Sequence, residues 1–328
     1  KSLSLDLKKP GAVEVARRLA KDCDVLLEGF RPGVMDRLGL GYEELKKENP
    51  GLIYCAITGY GQDGPYAQKA GHDINYVGYA GLVDMNGDPG ARPVLPGTQV
   101  ADLGGGALYA SVGILAALQA RARTGEGQFV DVSMMDGAFS LGLLNFAEQL
   151  GRPEREITRG DTQLSGAFPC YGVYECADGK CLTVGPLEEK FWEVFCTKLG
   201  RPEWIAKRAP RDKAEAQAMR AEVAALFATK PRAHWIALLE NEDACVGPVN
   251  SAAEALADPH VKARGLTYES EHPDGGPITQ VAFPVKLSQT PAAYRAHAPQ
   301  LGENTDEVLK AAGYSEAEIA ELRESGAV

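Results

Sequence analysis

Apolar positions in the first 136 residues switch repeatedly between a period of two and a period near 3.6. "SLSLDL" alternates, with Leu3, Leu5 and Leu7 on one face, and predicts a strand. "GAVEVARRLAKDC" places Val13, Val15, Ala16, Leu19 and Ala20 on one side of a helix. "DVLLEGF" and "GLIYCAITGY" are short unbroken apolar runs, as expected of buried strands, with "YEELKKEN" a surface helix between them. A helix over about 103–121 follows, then the turn "TGEG" and a strand in "GQFVDVSMM". Strands alternating with helices, and apolar along most of their length, predict an α/β fold with a parallel sheet covered on both faces.

The texture changes after about Asp136. "CYGVYECADGKCLTVG" reads as short strands around a turn at "ADGK". Helical stretches follow in "EEKFWEVFCTKLG" and "KAEAQAMRAEVAALFAT". Residues 262–292 are extended and punctuated by Pro and Gly, and the tail predicts two short helices. There is no internal repeat.

Composition narrows the function classes. The chain has 328 residues, 45% of them hydrophobic, and a net charge of −11. That sign disfavours a nucleic acid or an anionic membrane as partner, while a local cluster of Arg and Lys could still hold an anionic substrate. The seven cysteines show no C-x-x-C and no histidine at metal-ligand spacing. They predict reduced, buried thiols, no metal site and a cytoplasmic protein. "LGGGALYASVGILAALQA" is barely long enough to span a membrane and is bounded by Asp102 and Arg121, so it predicts a core helix. The opening strand begins at Lys1 without a lead-in, and residues upstream are expected to be missing.

"GYGQDG" matches the spacing of a dinucleotide-binding loop after a strand, with Asp84 about 20 residues on. Pro65 follows where a helix should open, so no nicotinamide or flavin is expected. Three other groups could carry chemistry. His72 and Asp73 stand where "INYVGYAG" could start as a helix, facing free backbone N–H donors. Asp102 heads the "LGGG" helix, whose glycines 104–106 permit close approach. Glu188 follows a strand and a Gly-Pro turn. Taken singly, each equally fits a structural role as a cap or a satisfied polar group.

The stretches "DVLLEGFRPGVMDRLGLG", "AGHDINYVGYAG", "ADLGGGALYASVGILAAL", "TGEGQFVDVSMMDG" and "DACVGPVNSAAEALADPH" resemble the family III CoA-transferase superfamily. Within it they are most similar to the α-methylacyl-CoA racemase branch of lipid metabolism. The resemblance runs in order from Lys1 to the last helix. It implies a large Rossmann-like domain, residues 1–136, then a linker 137–168 and a small α+β domain 169–262. A second linker, 263–285, would lead residues 286–328 back to the large domain. It further implies an upstream strand–helix–strand absent from this sequence, and a homodimer of interlocked chains. His72 and Asp102 would be the two acid–base groups that invert the α-carbon of an acyl-CoA thioester, and Glu188 of one chain would pair with His72 of the other. The backbone at His72 and Asp73 would receive the thioester oxygen. Arg37, with Arg31 and Lys1, would hold CoA, which is part of the substrate, and no separate cofactor is expected. A CoA-transferase, with Asp102 as covalent nucleophile, is the alternative. "GHD", "GPLE" and "DACVGPV" favour the racemases. A non-catalytic homologue would be expected to lack one of the three acid–base groups, and all three are present.

Overall fold

β2 (Ile53–Thr58) is the middle of a three-stranded parallel sheet, with β1 (Val25–Glu28) on one side and β3 (Gln128–Ser133) on the other. Ile53 stands opposite both Val25 and Gln128. A central parallel strand is covered on both faces, which is why every residue of β2 except Ile57 is buried. The computed structural model describes residues 1–272 and 275–328. These form two compact units, Lys1–Ile157 with Ala298–Val328, and Thr158–His297.

In the first unit α1 (Pro10–Lys21), α2 (Val34–Arg37) and α3 (Tyr42–Glu48) precede β2. Ala20, Leu40, Leu45, Leu52, Tyr54 and Ala56 form the core on that side. α4 (Asp73–Tyr79) lies between β2 and a wide π-type turn, Val100–Leu108, that runs straight into α5 (Tyr109–Thr124). β3 passes into α6 (Met134–Leu141) through Ser133, whose hydroxyl accepts from the Asp136 N–H at 3.1 Å, and α7 (Leu143–Gly151) follows.

The second unit has its own antiparallel sheet, β4 (Gly172–Glu175), β5 (Cys181–Val184) and β6 (Val246–Pro248), joined in that order. Its helices α8 (Glu189–Lys198), α9 (Lys213–Phe227) and α10 (Arg232–Leu239) contribute Trp192, Phe195, Phe227 and Trp235 to one aromatic core. The indoles are also satisfied: Trp192 donates to Trp204 O at 2.9 Å and Trp235 to Phe227 O at 2.9 Å. α11 (Ala252–Ala257), α12 (Pro259–Ala263) and the hairpin β7 (Thr267–His272) with β8 (Gly276–Val281) complete it. α13 (Thr305–Ala311) and α14 (Glu316–Glu324) belong to the first unit, with Leu309 and Ile319 packed on Val15.

Several expectations change. Residues 2–7 make no strand. Ser2 and Asp6 instead bond to Asn304 and Ala327, so the backbone groups that a ladder needs are spent on the C-terminal tail. Leu3 and Leu5 pack with Val15 and Ile319, whereas Leu7 joins the separate cluster around Leu45. Residues 137–168, expected as linker, carry most of α6 and all of α7, because the apolar spacing of "MMDGAFSLGLLNFAEQL" continues past Asp136. The expected linker 263–285 holds the hairpin, and its residues 273–274 lie outside the described residues. Cys23 and Cys245 are exposed rather than buried.

The apolar helix is not a core helix within this chain. Val100–Thr124 is long and apolar enough to cross a membrane, yet only 28% of its apolar window is buried. Its inward side is made of small residues, Ala101, Gly105, Gly106, Ala110 and Ala117, while Leu108, Val112 and Leu115 face outward. The small residues are required by a close crossing with α6. A Cβ on Gly105 would stand 2.4 Å from Met134 O and 2.8 Å from Ala138 N. One on Gly137 would stand 2.3 Å from Gly105 O.

Gly105→Ala is therefore expected to lower stability in urea unfolding. Overpacking costs about 1–3 kcal/mol, more than the roughly 0.5–1 kcal/mol that alanine gains over glycine in a helix. A variant as stable as the parent would mean that the two helices separate without cost.

Candidate active site

The loop leaving the C-terminal end of β2 carries the histidine. Gly61 (φ 86°) and Gly64 (φ 82°) turn it, and the Gly61 N–H donates to Thr58 Oγ1 at 3.0 Å. No helix opens before Asp73, so "GYGQDG" is a turn and lacks the helix start that faces a pyrophosphate. The Tyr76 ring then closes the loop against α4. A Cβ on Gly59 would stand 2.5 Å from that ring and one on Gly71 2.8 Å from it, while the Tyr76 hydroxyl donates to Gly71 O at 2.6 Å. These contacts fix the residue immediately before His72. Tyr60, buried in the same cluster, brings its hydroxyl to 2.8 Å from where a Gly71 Cβ would be.

His72 is the N-cap of α4, with extended backbone (φ −132°, ψ 176°) and an exposed side chain. Its N–H donates to Asn75 Oδ1 at 3.0 Å, and the Asn75 N–H donates back to His72 O at 2.8 Å. The ring is thereby held at a helix start and left facing outward. Asp73, the first residue of α4, sends its carboxylate across to the other helix start: Oδ1 accepts from the Ala101 N–H at 2.7 Å and the Asp102 N–H at 3.0 Å. Ala101, Tyr76, Val77 and Ala138 form the core beneath both starts.

Asp73 thus ties the helix start that bears Asp102 to the one that His72 caps. Burial, then the neighbouring Asp73 carboxylate, push the Asp102 carboxyl above its ordinary range, and His72 acts in the opposite direction. The site joins one imidazole and two carboxylates on two helix N-termini. That arrangement can move protons and can stabilise a developing oxyanion. Among the described residues no group of His, Cys, Asp and Glu is arranged to hold a metal ion.

Glu188 lies in the second unit, as the N-cap of α8 with an exposed side chain. Its turn is braced from three sides. The Gly185 N–H donates to Cys245 O at 2.9 Å, the Leu187 N–H donates to Gly185 O at 2.8 Å, and Arg208 donates to Leu187 O. Cys245 is the one described non-glycine residue with positive φ, 49°. Partial desolvation first, and then the Glu188 charge, push its thiol up although the residue is exposed. Neither Arg208 nor Cys245 carries a local sequence signal for this role, since both meet the turn only through the fold.

Of the cations expected to hold CoA, Arg31 and Arg37 both lie beside Gly33. Arg37 ends α2, with Nη1 3.3 Å from where a Gly33 Cβ would stand. Arg31 lines a cleft of about 290 Å³ whose walls include Glu28, Asp36, Glu43 and Tyr54. Three carboxylates make that cleft poor surroundings for a phosphate, although the charge of Arg31 also reaches Tyr76. Lys1 is paired with Glu307 at 2.7 Å.

The sequence profile of CoA-transferase family III matches residues 1–305. The chain belongs to this family. It is 38% identical over 324 residues to the alpha-methylacyl-CoA racemase of Homo sapiens, covering 98% of this chain and 83% of that protein. It is 35% identical over 318 residues to the succinate–glutarate CoA-transferase of Agrobacterium fabrum, covering 94% and 77%. A solved structure of a CaiB/BaiF family protein from Brucella suis superposes with a TM-score of 0.80 at 29% identity, covering 95% of this chain and 81% of that one. This family III enzyme therefore shares its chain-long pattern with both isomerases and transferases of acyl-CoA thioesters.

The raised proton affinity of Asp102 has a consequence for stability. A carboxyl that binds its proton more tightly folded than unfolded favours the fold below its ordinary pKa, and this contribution is lost as pH rises through the folded value. Asp102→Asn is expected to raise Tm at pH 7 and to leave it unchanged near pH 3, measured by thermal melts. A lower Tm at both pH values would contradict this.

Proposed function

We propose that this family III enzyme racemises 2-methylacyl-CoA thioesters by proton transfer through an enolate. The observation that carries the reading is that the Asp73 carboxylate joins the helix start capped by His72 to the backbone of Asp102 on the other helix start. Their relative at 38% identity, a racemase, supports it. The proton on a carbon next to a thioester is weakly acidic, so its removal needs the oxygen stabilised as charge moves onto it. The backbone N–H groups at the start of α4, around His72 and Asp73, supply such donors, each worth about 10²–10³ in rate.

One of the two groups takes the α-proton, and the C–H electron pair moves into the enolate. The other then delivers a proton to the opposite face, which restores the thioester with inverted configuration. The raised proton affinity of Asp102 suits a group that must hold a proton in one direction and accept one in the other. Glu188 of a second chain would orient His72 and favour its protonated form. Arg37 is the leading group for the CoA phosphates, with the exposed Lys1 as a further cation and Arg31 a weaker one because three carboxylates surround it. A homodimer would also cover the outward Leu108, Val112 and Leu115, with no membrane or nucleic acid as partner and a cytoplasmic location.

The transferase reading keeps one specific support, the 35% identity to a CoA-transferase. There Asp102 would attack the acyl carbon instead of an α-proton. Incubation of a single epimer in D₂O, without an acceptor acid, separates the two. Deuterium at the α-carbon with both epimers appearing is expected, and His72→Ala should lower that rate by about 10²–10⁴. Absence of exchange, with acyl-CoA consumed once a free acid is added, would assign the chain to the transferases.

A further inference from the structure

We propose that Asp73 is a positioning residue whose carboxylate sets the spacing between the two acid–base groups. The inference rests on the racemase reading for what that spacing serves, and on the structure for the spacing itself. The N–H groups at a helix start have no partner within the helix and are usually capped by the residue just before it. At Val100–Leu108 that residue is Gln99, and its side chain makes no cap. The cap arrives from another element: Asp73 Oδ1 takes the N–H of Ala101 at 2.7 Å and of Asp102 at 3.0 Å, from 28 and 29 residues earlier in the chain.

The acceptor in this cap belongs to the residue after His72, and the donors are the backbone N–H groups of Ala101 and of Asp102 itself. One side chain of two rotatable bonds therefore spans the two groups. A cap from Gln99 would satisfy the same N–H groups and would leave the distance to α4 unspecified. The negative charge so placed also acts on the Asp102 carboxyl in the direction of proton retention.

Three proteins test this, the parent, Asp73→Ala and Asp73→Asn, all assayed as full chains by α-deuterium incorporation into a 2-methylacyl-CoA. Asp73→Ala removes the acceptor and is expected to lower kcat about 10²-fold, the scale of a misplacement near 1 Å, with KM within about threefold. Asp73→Asn keeps an oxygen that can accept both N–H groups, and is expected to return kcat to within about tenfold of the parent. Amide hydrogen exchange at Ala101 and Asp102 should be fast in Asp73→Ala and slow in the other two. Parent-like kcat in Asp73→Ala, or equal losses in both variants with slow amides, would overturn the proposal. If Asp73→Ala does not fold, Asp73→Asn decides: kcat within about tenfold supports it and a loss beyond about 10²-fold overturns it. A parent without α-exchange would remove the racemase reading, and the amide contrast would then decide the clamp independently.

Discussion

The candidate site depends on there being no side chain between two helices where they cross. Gly105 and Gly137 bring the turn at Val100–Leu108 and α6 into backbone contact, and a Cβ on either would lie within 2.4 Å of the other helix. α6 is itself continuous with β3 through the Ser133 cap. The crossing therefore attaches the helix start that bears Asp102 directly to the parallel sheet. Beyond the crossing, Ala110 and Ile114 of that helix pack on Cys55 and Val132 of the sheet.

His72 is attached to the same sheet by a different route. The loop from β2 is short of regular structure but rich in contacts, with Tyr76 packed over Gly59 and Gly71 and bonded to the Gly71 carbonyl. β2 and β3 are adjacent and parallel, so the loop bearing His72 and the helix that anchors Asp102 leave the same, carboxyl, end of the sheet. Open parallel sheets place ligands at the carboxyl ends of their strands for this reason. Asp73 closes the arrangement by joining the two helix starts that the two strands deliver.

The second unit holds its glutamate by comparable means. Glu188 stands at the head of α8 on a turn bonded to Cys245 and Arg208, and Cys245 adopts a left-handed conformation rare outside glycine. A rare conformation persists where surrounding contacts over-determine it. Here those contacts are the Gly185–Cys245 bond and the ladder from β5 to β6.

Periodicity along the chain was enough for the central strands, for α1, α8 and α9, and for the two-helix tail, because each buries one continuous apolar face. The quoted stretches also carried the family, with His72, Asp102 and Glu188 among them. Local pattern failed at residues 2–7, where alternation predicts a strand but the C-terminal tail takes the backbone bonds. It failed at 137–151, where helices replace an expected linker. Asp73 was read through its backbone alone, as part of the expected oxyanion site, since its side-chain partners lie 28 and 29 residues away with no periodic relation. The sequence by itself determined which residues could do acid–base chemistry and which segments could become strands or helices, because both follow from side-chain type and short-range spacing. Only the tertiary structure decided that the helix starts bearing His72 and Asp102 are joined, because that depends on a crossing and a cap between segments far apart in the chain.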